Sequence, residues 1–168
     1  MNTLSKNKKQ LLQFIVRKTY MCIPLEFVKK TLPLPKVEII PNAPFYLVGL
    51  MNLAGKSVPI IDLATRLGLS RHGEKYTIFN PVMLCQSKTT EIGLVVDEVL
   101  GLCEIDEDAL QMHEEFNDIN SPFLASVLVK NKISLLLNVE RILAIDPAKQ
   151  HPDFIINEKL INLVHKHE

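Results

Sequence analysis

Apolar residues fall in short blocks along the chain, broken by brief polar or turn-forming interruptions. That pattern predicts strands joined by tight turns rather than long amphipathic helices. Residues 11–16 and 20–25, parted by Arg17-Lys18-Thr19, read as an opening hairpin. In residues 26–32, Phe27, Val28, Thr31 and Leu32 recur at helical spacing, so one or two helical turns are expected, ended by Pro33 and Pro35. A rigid connector containing Pro41, Asn42 and Pro44 follows. Residues 46–53 and 57–61 then read as antiparallel strands around an Ala54-Gly55-Lys56 turn, where Gly55 supplies the positive φ. Residues 82–86 and 91–96 make a further hairpin, and 99–105 another strand. Residues 106–122 are polar and acidic, an irregular connection with one helical turn. A last hairpin spans 123–129 and 133–137 around Lys130-Asn131-Lys132.

One polar residue interrupts the apolar logic. Asp62 follows Val58, Pro59, Ile60 and Ile61 directly and precedes Leu63-Ala64-Thr65-Arg66-Leu67. A carboxylate between a strand and a helical turn suits an N-cap, accepting from amides that lack a helical partner, worth ~1 kcal/mol. The second half repeats the arrangement. "PFYLVGLMNLAGKSVPIIDLATRL" and "PFLASVLVKNKISLLLNVERIL" share the order Pro-Phe, strand, turn, strand, polar cap, short helix. Asn138 then stands opposite Asp62, and Leu143 opposite Leu67. Upstream, "IPLEFV" matches "LVVDEV", with Glu26 opposite Asp97. An internal duplication is expected, each copy a small barrel of about five strands.

The chain has 168 residues, enough for one ordinary domain with a real core. Its 19 basic and 19 acidic side chains balance, so no global field favours nucleic acid or anionic lipid. The run Lys6-Asn7-Lys8-Lys9 reads as part of a disordered arm over 1–9. No signal peptide and no apolar run of membrane-spanning length is visible, which predicts a cytoplasmic protein. Cys22, Cys85 and Cys103 are odd in number and lack metal-ligand spacing, so they read as buried thiols. Residues 151–168 read as a helical tail, capped by Asn157, with Leu160, Ile161 and Val164 on one face.

Candidate chemistry is sparse. No nucleophile elbow, phosphate loop, zinc-binding helix or dinucleotide fingerprint occurs. His113 beside Glu114 and Glu115, and the pair His165 and His167, read as solvated side chains rather than metal ligands. Cys85 has no His near it in sequence to activate it. A neutral, strand-rich domain of this kind suits a binding module better than an enzyme, with no cofactor and no metal expected.

The run "PNAPFYLVGLMNLAGKSVPIIDLATRLGL" resembles the first signature of CheW-like domains, the coupling adaptors of bacterial chemosensory arrays. "EIGLVVDEVLGLCEID" and "SPFLASVLVKNKISLLLNVERIL" resemble the second and third, in the family's order and over roughly residues 10–146. The resemblance implies an all-β fold of two intertwined five-stranded Src-homology-3-like barrels over residues 10–150, with short helical turns and a C-terminal helix. It implies a non-catalytic adaptor that binds the regulatory domain of a CheA-type histidine kinase and the cytoplasmic tip of a methyl-accepting chemotaxis receptor. The alternative it leaves is a divergent auxiliary adaptor, as in a type IV pilus twitching system, that binds one partner only. No nucleic acid and no direct membrane insertion are expected.

Carried over position by position, Val28, Lys30, Gly49, Asn52, Ala54 and Gly55 fall in the receptor- and kinase-contacting part of the pattern. Ile23, Leu25, Val95, Val96 and Val99 either line the apolar groove between barrels or belong to the shared core. Two positions depart from the pattern. The family usually carries Arg where Ala54 stands and Glu where Lys30 stands, and those two groups would pair. Losing both avoids leaving one charge without its mate, and predicts an altered coupling surface on intact barrels.

Overall fold

The computed structural model describes residues 7–70, 75–118 and 121–144. In chain order the strands are β1 (Lys8–Val16), β2 (Thr19–Pro24), β3 (Val28–Pro33), β4 (Leu47–Leu53) and β5 (Lys56–Asp62). They continue as β6 (Pro81–Gln86), β7 (Glu91–Val95), β8 (Glu98–Asp106), β9 (Phe123–Val129) and β10 (Lys132–Leu137). Two short helices follow the matched hairpins, α1 (Leu63–Arg66) after β5 and α2 (Val139–Leu143) after β10. One five-stranded sheet has the order β8-β1-β2-β10-β9 and the other β3-β6-β7-β5-β4, which fits two Src-homology-3-like barrels.

The duplication survives, but a single copy does not make a barrel. Residues of the first copy, β1 to β5, correspond in order to β6 to β10 of the second. In those terms each sheet combines the first two strands of one copy with the last three of the other: β1 and β2 with β8, β9 and β10, and β6 and β7 with β3, β4 and β5. The chain changes sheet twice. It leaves the first after β2, through a 3-10 turn at Leu25–Phe27, and returns after β7 through Val96 and Asp97. At both places the following strand pairs in the other sheet instead of turning back beside its predecessor. Each sheet also contains one parallel pair, β2 with β10 and β5 with β7, where the copies meet.

This interleaving explains the continuous apolar blocks. Strands buried on both faces lose the polar alternation of a half-exposed sheet. Along β6, Val82 and Leu84 face the interior of the second barrel, while Met83 and Cys85 face the core between barrels. Along β10, Leu136 fills the first barrel, while Leu135 and Leu137 join the shared core. Leu94, Val95 and Val96 alternate likewise. The shared core is the largest of the three and holds Phe14, Tyr46 and Phe123.

Three local expectations change. Residues 28–33 are strand, not helix, because β3 pairs with β6 along its length, and that ladder outweighs the helical spacing of a short run. Only Leu25–Phe27 keeps a helical turn. Of the arm expected over 1–9, Lys8 and Lys9 are strand instead, paired with Asp106 and Ile105 of β8, and residues 1–6 lie outside the described residues. Cys22 and Cys85 are buried, but Cys103 is partly exposed. The helical tail and His165 and His167 lie outside the described residues.

Candidate functional site

The β4–β5 hairpin is built by a two-residue turn in which both Ala54 (φ +49°) and Gly55 (φ +85°) are left-handed. The same turn closes β1–β2 at Arg17-Lys18 and β9–β10 at Lys130-Asn131, again with positive φ at both positions. Such mirror-image turns match the strand twist, at a cost for residues carrying a Cβ. Asn52 steadies this one by accepting from the Gly55 amide at 2.9 Å. Asn52, Ala54 and Gly55 are all exposed. Gly49 is buried in β4 for a different reason. Glu38 exchanges both backbone hydrogen bonds with Leu50, and a Cβ on Gly49 would stand 2.6 Å from the Glu38 carbonyl oxygen.

Lys30 is exposed on β3, opposite Leu84, after a bulge that separates it from Val28. Val28 is half-buried against the shared core. β3 and β4 are the two outer strands of one sheet, so Lys30 and the Ala54 turn sit on the flanks of the same barrel. Lys29 in the bulge pairs with Glu91 at 3.1 Å.

The groove candidates divide. Ile23 and Val96 are 1% exposed and belong to the shared core. Val95, 2% exposed, fills the interior of the second barrel. These three line no groove, because the alternation along β2 and β7 turns each of them inward. Leu25 and Val99 are half-buried, at the first sheet change and just beyond the second. Leu25 borders an open cleft of about 1120 Å³ together with Lys8, Lys9, Glu26, Glu104 and Asp106. The cleft is therefore rimmed by charge rather than purely apolar. Lys8 bonds to Glu104 at 2.8 Å, which raises the lysine's pKa.

The two cap residues differ in detail. Asn138 accepts from the Arg141 amide at 3.4 Å, as a cap does. Asp62 occupies the matching N-cap position, but its carboxylate accepts from the Thr65 hydroxyl at 2.7 Å and forms no backbone cap bond. Burial raises the Asp62 pKa; the Thr65 hydroxyl, the Arg17 charge and the nearby Ala64 and Thr65 amides oppose that rise. Burial also raises the Cys22 and Cys85 thiols to about 12, so neither is a reactive nucleophile at neutral pH.

Some organising side chains carry no motif. Arg66 is 1% exposed, lies 4.5 Å over the Tyr46 ring, and donates to the carbonyls of Arg141 and Ala144 at the end of α2. In the aligned halves it stands opposite Ile142, a core position, and that mismatch was its one signal. Arg17 in the β1–β2 turn bonds to Asp97 at 3.3 Å, and Asn80 also donates to Asp97, tying the second sheet change to the first barrel. Gln13 and Ser134 pair at 2.8 Å inside the first sheet, where the matching positions of the second sheet, Leu84 and Val58, are apolar. His113 meets Ser126 at 3.0 Å and the edge of Phe116. Among the described residues no three His, Cys, Asp or Glu side chains are grouped to hold a metal. No described helix is long and apolar enough to cross a membrane.

The CheW-like domain model matches residues 10–146, both barrels and both sheet changes. The chain belongs to the CheW-like domain family. It is 26% identical over 136 residues to a probable chemotaxis protein CheW of Rhizobium etli, covering 80% of this chain and 86% of that protein. It is 22% identical over 145 residues to the chemotaxis protein CheW of Thermotoga maritima, covering 85% and 94%. The crystal structure of scaffolding protein TtCheW from Thermoanaerobacter tengcongensis superposes with a TM-score of 0.70 at 21% identity, covering 90% of this chain and 95% of that one. The CheW-like fold expected from the sequence is thus the fold observed.

Proposed function

We propose that this CheW-like protein is a non-catalytic chemotaxis adaptor that couples methyl-accepting receptors to a CheA-type histidine kinase. The observation that carries the reading is the family match over both barrels, in a chain whose similar proteins are chemotaxis CheW proteins. The receptor tip is assigned to the face around Leu25 and Val28, where the chain passes between sheets beside an open cleft. The kinase regulatory domain is assigned to the flank bearing Lys30 and the Asn52–Gly55 turn, whose side chains are exposed. This work is done at the cytoplasmic side of the membrane. The relatives' names give no support to a twitching-system auxiliary role.

Calorimetric titration of the protein against a receptor-tip fragment and, separately, a kinase regulatory domain from the same cell tests the reading. Micromolar binding to both is expected, with Ala54→Arg changing the kinase affinity and leaving the receptor affinity within about twofold. Absence of binding to either partner overturns it.

A further inference from the structure

The chain's 19 basic and 19 acidic side chains cancel overall but not locally. Residues 98–118, from β8 towards β9, hold eight carboxylates and no lysine or arginine. The second barrel has the opposite excess, and strand register gathers it at one end. β3 begins where β6 stops, with Val28 opposite Cys85 and Lys30 opposite Leu84. The β6–β7 turn, residues 87–90, lies just beyond that level. β5 runs parallel to β7 with Ile60 beside Gly93, which brings Lys56 and the β4–β5 turn to the same end. Three chain segments thus place Lys29, Lys30, Lys56 and Lys88 together, all exposed.

Among the described residues the carboxylate at this end is Glu91, and Lys29 already holds it at 3.1 Å. No described ion pair takes up Lys30, Lys56 or Lys88. Like charges crowded together repel, so the cluster does nothing to hold the barrel. The end is also poor in apolar area. The strongly exposed apolar side chains of this barrel, Phe45, Ile78 and Phe79 among them, precede β4 and β6 at its opposite end. A contact here gains from charge rather than from burial of apolar surface. The charge then changes sign across Leu25–Val28. Glu26 lines the open cleft with Glu104, Asp106 and Glu107, beside Lys8 and Lys9.

We propose that the kinase regulatory domain meets this end of the second barrel with an acidic face, which Lys30, Lys56 and Lys88 steer and select. The proposal rests on the kinase assignment made above and adds the chemistry of the partner's surface. The carboxylates of the neighbouring cleft repel the same acidic face, so the sign change fixes where along the surface it settles. A domain presenting lysine or arginine at this place is turned away, which makes the cluster a filter between kinases. Exposed charges of this kind act on the encounter more than on the lifetime of the complex.

Stopped-flow binding of the full chain to the kinase regulatory domain from the same cell, at about 50 to about 500 mM salt, tests this. The association rate constant is expected to fall at least about tenfold over that range, and the dissociation rate constant to change less than about threefold. Lys30→Glu and Lys56→Glu each slow low-salt association about threefold, and both together with Lys88→Glu at least about tenfold. Thermal unfolding stays unchanged, because the side chains are exposed. Lys130→Glu makes the same charge change in the matching turn of the first barrel and leaves association within about 1.5-fold. Association indifferent to salt and to the triple reversal overturns the proposal while the adaptor reading stands. An equal effect of Lys130→Glu assigns the steering to net charge and overturns it too. Salt-sensitive self-association that Lys30→Glu abolishes, with kinase association unchanged, gives the lysines to the acidic segment of a second copy and likewise overturns it. A kinase domain that binds at no salt concentration removes the adaptor reading itself, and the proposal with it.

Discussion

Asp62 shows how one side chain can serve position and still cost stability. It stands at the N-cap of α1, yet at 6% exposure its charge is held in a poorly solvated place. Burial raises its pKa, so the native state holds the proton above the pH at which the unfolded chain, near 4, has released it. As pH rises from there the unfolded state binds fewer protons, and stability falls until the native carboxyl has also ionised. Asn138 fills the equivalent place without a charge. Asp62→Asn is therefore expected to abolish that loss, so that the stability of the variant relative to the native chain rises as pH goes from about 4 towards 7. Urea unfolding at several pH values checks it; a gap that does not depend on pH would remove burial of charge as the cause. The cap position was readable from the sequence because the two halves align there. Its hydrogen-bond partner was not, since nothing in the order of residues shows that the Thr65 hydroxyl takes the place of a backbone amide.

At the level of elements, the hairpins were legible and their turns only partly so. Gly55 and Asn131 announce left-handed positions, but Arg17, Lys18, Ala54 and Lys130 take positive φ with no sign in their identity. The strand twist demands the geometry and the flanking ladders hold it. Ala54 thus sits in a region that disfavours its Cβ, with no side chain to form a compensating hydrogen bond. Replacing it by Asn, which tolerates that region, is expected to raise stability by about 0.5–1 kcal/mol in thermal unfolding, whereas Ala54→Val should lower it by a similar amount or more. The misread element is β3. Its Phe27, Val28, Thr31 and Leu32 spacing is helical, but the bulge at Val28–Lys30 and pairing with β6 impose an extended chain. A seven-residue window cannot show a partner strand some fifty residues away. The same limit hid Arg66, whose carbonyl partners lie at the far end of the second copy.

At the scale of the molecule, the repeat was visible and the exchange of strands between repeats was not. Sequence similarity between halves says what each copy contains. It does not say with which copy a strand pairs. That shows at the two sheet changes, Leu25–Phe27 and Val96–Asp97, after each of which the next strand pairs in the other sheet. The consequence is testable by cutting the chain within residues 71–74, between the copies. That cut divides both sheets, separating β1 and β2 from β8, β9 and β10, and β3, β4 and β5 from β6 and β7. Each fragment alone would leave its half of the shared core, around Phe14 and Tyr46 or around Met83 and Phe123, facing water. An apolar face of that size is not stable in solution. Neither fragment should unfold cooperatively by itself, and an equimolar mixture should regain native-like circular dichroism and a single thermal transition. Barrels formed by each repeat separately would instead give two independently folded fragments that gain nothing from mixing.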